Sequence, residues 1–311
     1  MRTNRVFKII NPFQSETSKH VISSYIAIGH LNVYIRDKRN NLDVARKSLL
    51  LAHENYVDTL ILPYMQPYGP ILDNNISKST LRKKYGLSLT SGYLASLSII
   101  AKNYGVNVLL MSTIEKAGSK IYVTAFLIPG IIGEPIEKYR KIVLSDREKI
   151  IGFNKGKTIK KFRCRNIYYS IVLDDEILYP ELAKLNLYLG TDILFVGIAP
   201  DYPVKNYMSI IKSLALMTRS KIVLVGGIYY YENKLSYIVP TIILDQRGNV
   251  LFKYISDEQA LIMLPTQYLI RENKKIDQET MFIYTLYSRL FRHKKRGVRI
   301  GSGKGYTYKI E

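Results

Sequence analysis

Three stretches of this chain carry residues that could do chemistry. In the first, an apolar run, Ser170-Ile171-Val172-Leu173, leads into Asp174, Asp175 and Glu176 and then into Tyr179-Pro180-Glu181. If the strand continues through the acids, Asp174 and Glu176 share a face and Asp175 points the other way. Two carboxylates on one face suit general acid–base hydrolysis or a metal site; a simple ion pair with a basic neighbour is the plainer use. In the second stretch, Lys141 sits in Tyr139-Arg140-Lys141-Ile142-Val143-Leu144, with Asp146 and Glu148 close behind. The third holds the only thiol, Cys164, between Arg163 and Arg165. Flanking arginines lower a thiol's pKa and make it reactive if exposed; otherwise it is a structural cysteine. A single cysteine excludes an internal disulfide, and four scattered histidines give no zinc-ligand spacing, so no metal is expected. The tail motif Gly301-Ser302-Gly303-Lys304-Gly305 lacks phosphate-loop spacing and reads as a flexible tail, there is no Gly-x-Ser-x-Gly elbow, and no cofactor is expected.

The elements that must position these groups alternate between strand and helix. Residues 21–33 read as a strand, and Asn41 reads as the cap of a helix with Leu42, Ala45, Leu49 and Ala52 at helical spacing. A buried strand ends at Pro63, and a long loop with a short helix follows to residue 87. A helix over 91–104 and strands over 106–112 and 120–128 come next. Strands are expected over 167–173, 192–196, 221–225, 236–244 and 249–254, and helices over 181–189, 207–217 and 278–292. Gln246-Arg247-Gly248-Asn249 reads as a hairpin turn. This pattern argues α/β layers with sheet inside and helices outside. With 311 residues, 47% of them apolar, the chain can bury a sizeable core. There is no fixed-period repeat and no internal linker. The expected organisation is a basic extension over 1–21, one domain over 22–256 and a second basic extension over 257–311. No apolar run approaches the ~20 residues that span a bilayer, and no signal-peptide core is present, so a soluble cytoplasmic protein without membrane attachment is expected.

Many ordered partial matches resemble the nitrilase (carbon–nitrogen hydrolase) superfamily over roughly residues 22–255. Asn41-Leu42, Leu62-Pro63, Tyr68-Gly69, Tyr122-Val123-Thr124-Ala125, the Tyr139–Leu144 motif, Gly190-Thr191-Asp192, and Asp245 with Gly248 fall in the family's order. The resemblance implies a four-layer α-β-β-α sandwich, a homodimer or larger homo-oligomer, and a site built from a glutamate base, a lysine and a cysteine nucleophile. Carried over residue by residue, Lys141 is the lysine and Glu148 a second, positioning glutamate. Tyr64 stands where the base would be and Asp174 where the cysteine would be, so the catalytic triad is degenerate. A phenol titrates near ~10 and is no base at neutral pH. The acyl product of an aspartate would be a high-energy anhydride. The simplest arrangement is then a buried Lys141–Asp174 ion pair.

Charge adds a second theme. Lys and Arg number 46 against 25 acids, a formal +21, which draws phosphate-rich polymers. Arg289, Arg292, Lys294, Lys295, Arg296 and Arg299 cluster near the end, with Phe291, Tyr306 and Tyr308 interleaved. Basic residues with aromatic neighbours bind single strands by charge and stacking; a solvated tail is the alternative. The sequence therefore points to a catalytically inactive nitrilase-like protein that serves as a binding or scaffold module for RNA or a ribonucleoprotein. The alternatives are an amidase-type hydrolase with a rebuilt site using Lys141, Glu148 and Asp174, and an inactive subunit partnering a catalytic paralogue in a hetero-oligomer.

Overall fold

Continuous apolar runs, whose side chains point alternately to the two faces, build two large sheets with central strands buried on both sides. The computed structural model describes residues 7–13, 24–70, 76–203, 206–271, 282, 283, 285 and 286. It divides into two units, Met1–Glu272 and Asn273–Glu311. In the second unit Phe282, Ile283, Thr285 and Leu286 are helical, and the basic cluster from Arg289 to Arg299 lies outside the described residues.

In the first unit a seven-stranded sheet runs in the order β1 (Lys8–Ile10), β16 (Ala260–Pro265), β2 (Tyr25–His30), β4 (Val57–Leu62), β5 (Asn107–Ala117), β6 (Lys120–Ile128) and β7 (Glu137–Arg140). A six-stranded sheet runs in the order β15 (Val250–Tyr254), β14 (Thr241–Leu244), β11 (Lys221–Leu224), β10 (Ile193–Gly197), β9 (Ile167–Leu173) and β8 (Lys161–Cys164). A three-stranded sheet joins β13 (Lys234–Val239), β12 (Gly227–Tyr231) and β3 (Asn32–Tyr34). Ile26, Ile28, Ile61, Leu109 and Met111 of the first large sheet pack with Ile171, Leu173, Ile193, Phe195 and Val223 of the second, forming the central core. Their neighbours in sequence point outward. Leu60, Leu62, Val108 and Leu110 meet α1 (Lys38–Glu54) and α3 (Gly92–Tyr104). Val172, Leu194, Val196, Ile222 and Leu224 meet α5 (Pro180–Tyr188) and α6 (Tyr207–Thr218). Two short helices, α2 (Lys78–Lys84) and α4 (Asp146–Ile151), lie outside these layers in the chain order. The result is the expected α-β-β-α sandwich.

The structure departs from the sequence reading at several places. The single strand expected over 236–244 is split at Pro240 into β13 and β14, which belong to different sheets. The sheet extends past both ends of the expected 22–256 domain, since β1 pairs in parallel with β16 and β16 pairs antiparallel with β2. Asn41 is not the cap of α1. Asp37 is, its carboxylate accepting from the Asn40 amide at 3.0 Å. Asn41 lies buried inside the helix, accepting from the Tyr34 amide at 2.7 Å and donating to the Tyr34 carbonyl at 2.8 Å. It thereby satisfies loop backbone that would otherwise be buried unpaired. The strand expected to run on through Asp174 stops at Leu173, and a 3-10 turn spans Asp174–Leu178. Among the described residues, no helix is long and apolar enough to cross a membrane.

A polar relay also joins the two large sheets. The Gly226 amide donates to Thr241 Oγ1 at 3.1 Å. The Thr241 hydroxyl and His30 Nδ1 are 3.0 Å apart, and His30 Nε2 lies 3.0 Å from the Ser256 carbonyl. A carbonyl only accepts, so Nε2 carries the proton and Nδ1 accepts from Thr241. Burial pushes the His30 imidazole down to about 4. The unfolded chain then takes up the proton first, so stability falls as pH drops from about 6.5 toward 4. We expect His30→Gln to flatten this acid limb, removing a pH-dependent loss of about 3 kcal/mol over that window. Urea-unfolding midpoints for both proteins across pH 4–7 measure it, and parallel curves would refute it.

Candidate functional site

Three of the four site residues are placed by the ends of strands, and Glu148 by the start of a helix. Tyr64 follows β4 through Pro63, and its carbonyl accepts from the Tyr229 hydroxyl at 3.1 Å. Lys141 follows β7. Its amide donates to the Val123 carbonyl at 2.9 Å, and its carbonyl accepts from the Gly156 amide at 2.8 Å. A Cβ at Gly156 would come within 2.0 Å of the Arg140 carbonyl, so only glycine allows this approach. Arg140 is itself fixed. Its guanidinium holds Glu115 through two bonds of 2.7 Å and lies 3.8 Å from the Tyr122 ring centroid. Glu148 stands in the first turn of α4, where a capping box ties it to Ser145. The Glu148 amide donates to Ser145 Oγ at 3.2 Å, and the Ser145 amide donates to Glu148 Oε2 at 2.8 Å.

Asp174 opens the turn after β9 with φ +46°, a left-handed conformation that costs most side chains energy. That backbone turns its carboxylate into the junction of the two large sheets. Asp174 Oδ2 accepts from the Tyr64 hydroxyl at 2.5 Å and from the Lys141 ammonium at 3.0 Å. Oδ1 accepts from the Ala199 amide at 2.8 Å. Lys141 Nζ also donates to both Glu148 oxygens, at 2.8 and 2.9 Å. The structure thus brings Tyr64, Lys141, Glu148 and Asp174 into one hydrogen-bonded group.

Electrostatics follow from burial and these contacts. Burial alone would lower the Lys141 pKa, but the Asp174 and Glu148 charges hold it above the ordinary value. Burial, then the charges of Asp174 and Glu148, push the Tyr64 phenol well above 10. Burial and the Asp174 charge raise Glu148, against the pull of Lys141. Tyr64 therefore stays a neutral donor, and Lys141 stays an ammonium.

Glu176 does not share this site, contrary to the same-face expectation. The 3-10 turn rotates it into the protein. There its carboxylate accepts from the Tyr139 hydroxyl at 2.6 Å and from the amides of Ile142 at 2.7 Å and Leu173 at 2.9 Å. Burial raises it to about 7. Its role is to tie β9 to the end of β7, behind Lys141.

A cavity of about 540 Å³ opens over Glu148 and Asp174. Its apolar wall includes Leu81, Ile114, Val123 and Phe153, and its polar rim includes Asp175, Arg147, Asp201 and Tyr202. Tyr202 donates to Asp175 at 3.0 Å, and Arg147 to Asp201 at 3.3 Å. Of these rim residues only Asp175 lies in a motif; the topology gathers the others, from α4 and from the loop after β10. Cys164 does not line the cavity. It ends β8 with its side chain turned into the core, where the Thr59 hydroxyl donates to its Sγ at 3.3 Å. Strand alternation sends Arg163 to the solvent side, Arg165 is exposed in the turn that follows, and burial raises the thiol to about 11. Among the described residues, no cluster of His, Cys, Asp or Glu could hold a metal ion.

No family model and no curated protein matches the sequence. Solved structures do match. A cysteine-to-alanine mutant of the Nesterenkonia AN1 amidase, from the nitrilase superfamily, aligns with TM-score 0.64 and 16% identity over 87% of this chain and 97% of its own. The NitN amidase of the same Nesterenkonia strain aligns with TM-score 0.65 and 15% identity over 87% of this chain and 99% of its own. The same cysteine-to-alanine mutant, in complex with butyramide, aligns with TM-score 0.61 and 18% identity over 79% of this chain and 92% of its own. The chain has the nitrilase-superfamily fold.

The buried group predicts its own energetics. Lys141→Met leaves two carboxylates without their cation and should lower the unfolding free energy by ~3–5 kcal/mol. Tyr64→Phe removes one hydrogen bond to a charged acceptor and should cost roughly 1.5–3 kcal/mol. Chemical denaturation of both variants measures this. Equal losses would show that the ammonium does not dominate the group.

Proposed function

We propose that this chain is a nitrilase-fold protein that has given up amidase chemistry and acts as a binding or scaffold module, with RNA or a ribonucleoprotein as its partner. The observation that carries the first half is Asp174. Its carboxylate stands beside Lys141 at the mouth of the cavity, with both oxygens engaged by Tyr64, Lys141 and the Ala199 amide. In a glutamate-to-glutamine mutant of the Nesterenkonia amidase, acrylamide adds at the active-site cysteine. Here a carboxylate faces the cavity and the one thiol is packed in the core. Attack by Asp174 on an amide carbon would expel the amine and leave a mixed anhydride, a poor intermediate beside a thioester. The Tyr64 phenol, held protonated, supplies no general base.

Two measurements test the loss of chemistry. Short aliphatic amides and nitriles should show no turnover above background, and turnover that disappears in Lys141→Ala would overturn the proposal. Native protein should resist iodoacetamide, because Cys164 is buried with a raised pKa. Asp174→Cys should be labelled at the new thiol, whereas labelling of Cys164 in the folded wild type would contradict its placement.

The open cavity over Glu148 and Asp174 favours a second reading, an amidase-type hydrolase with a rebuilt site. There Glu148, its pKa raised by burial, would exchange protons with a water in the cavity. The same turnover assay decides between the readings. An inactive subunit paired with a catalytic paralogue, or a homo-oligomer, would appear in native mass spectrometry of material purified from its source.

The RNA half rests on the +21 charge and the cluster Arg289, Arg292, Lys294, Lys295, Arg296 and Arg299. Single-stranded RNA should bind with an affinity that falls linearly on a log–log plot against salt. Exchanging those six residues for Gln should make that slope shallower by about 4, at ~0.7 per phosphate contact for a single strand. A slope unchanged by the exchange would remove the cluster from the binding surface.

A further inference from the structure

A second cavity, of about 300 Å³, lies at the opposite ends of the parallel strands. The first cavity sits past the carboxyl ends of β9 and β10, where Asp174 and Ala199 meet. The second gathers residues from the amino ends. Asp192 precedes β10, Lys221 opens β11, and Arg219 closes α6 just before it. Asp245 and Arg247 come from the turn between β14 and β15, and Arg271 from the segment after β16. β10 is five residues long, which separates the two cavities by about 16 Å of strand.

Four cations and two carboxylates line this space, and the carboxylates are used by backbone. Asp192 accepts from the Tyr168 amide at 2.8 Å and from the Arg271 amide at 3.0 Å. Asp245 accepts from the amides of Arg247 and Asn249, each at 2.8 Å, and from Asn249 Nδ2 at 2.9 Å. Lys221 Nζ donates to the Tyr268 carbonyl. The Arg271 guanidinium is different: its Nη1 is buried and has no hydrogen-bond partner among the described residues. A buried donor left unpaired costs about 1–3 kcal/mol, more when charged, so it marks a place where an acceptor belongs.

Two further features hold the cations in place. Arg219 takes a left-handed backbone, φ +46°, at a helix C-cap where glycine is usual. Strain at such a position persists where the side chain is needed. The turn that presents Arg247 is pressed against α6, and a Cβ at Gly248 would stand 2.9 Å from the Lys212 carbonyl with φ +76°. Burial and the neighbouring Arg219 charge both depress the Arg271 guanidinium, with Asp192 opposing them. An anion between the two guanidinium groups would relieve both effects.

We propose that this cavity binds the phosphate group of a small molecule, gripped by Arg219, Arg247 and Arg271. Guanidinium forks match the oxygens of a phosphate dianion and pair with them bidentately. The volume exceeds a bare phosphate, which leaves room for the molecule that carries it.

Thermal unfolding of the full chain tests this, with inorganic phosphate and glycerol phosphate titrated at constant ionic strength against sodium chloride. Both should raise Tm by about 3 °C at tenfold excess over Kd. Tighter binding of glycerol phosphate identifies a monoester as the ligand class, and equal binding identifies free phosphate. Arg247→Gln, in an exposed turn, and Arg271→Gln should each weaken binding at least tenfold, while Lys102→Gln on α3 leaves it unchanged. Arg271→Gln should fold, since it removes an unpaired buried donor. A phosphate effect equal to that of chloride, or one that survives both arginine substitutions, overturns the proposal. So does binding of an RNA oligonucleotide that both substitutions abolish while neither small phosphate binds, which would make the cavity part of a nucleic-acid surface.

Discussion

The two large sheets are joined by a buried ammonium. Lys141 leaves the end of β7 in the seven-stranded sheet, and Asp174 leaves the end of β9 in the six-stranded sheet. Tyr64, from the end of β4, reaches the same carboxylate oxygen from the first sheet. Three polar groups therefore cross a largely apolar junction. Each charge there must be paired, because an isolated one in that surrounding would cost several kcal/mol. The pairing in turn fixes how the sheets meet. Glu176 and His30 repeat the device at other points of the junction, the first joining β9 to Tyr139 and Ile142, the second joining β2 to Thr241. Hydrophobic packing drives the layers together, and these polar contacts set their register.

The same constraint explains the strained backbone at Asp174. A strand running straight on would carry the carboxylate away from Lys141 and out over the sheet edge. The left-handed step at φ +46° turns it inward and hands Glu176 to the Ile142 amide, just past the end of β7 in the opposite sheet. Aspartate tolerates this conformation better than most residues. The ion pair, the tyrosine bond and the Ala199 amide together offset a strain of order 1–3 kcal/mol. The conformation suits a residue that must project into a cavity, whether or not it reacts there.

Most of this was legible in the chain, and the exceptions share a cause. The central strands announced themselves as continuous apolar runs, because both of their faces are buried. Lys141 and Asp174 were legible as partners only through the resemblance, since 33 residues separate them and no local pattern links them. β16 was missed although Ala260–Pro265 is fully buried, because charged and polar residues on either side made it read as tail. β1 is three residues long, too short for any periodicity. Asn41 carried a true helix-cap signal but spends its side chain on Tyr34, and only the tertiary position of that loop reveals the competition. The arginines beside Cys164 suggested a reactive thiol, yet the strand and the turn after it leave them outside and send the sulfur inward. Adjacency in sequence is no guide to electrostatics across a sheet.

Open α/β sheets usually bind ligands past the carboxyl ends of their strands, and the larger cavity obeys that rule. The cavity at the amino ends has to work against its setting. It lies at the C-terminus of α6, where the helix dipole favours cations and disfavours anions. Those carbonyls help to gather Arg219 beside Lys221 and Arg271, but they offer an anion nothing. Any attraction must come from the guanidinium groups themselves, unlike the backbone-amide cradles that bind phosphate at helix N-termini. That makes Arg271, whose buried Nη1 is unpaired among the described residues, the decisive group: its replacement removes a donor that a backbone amide would have kept.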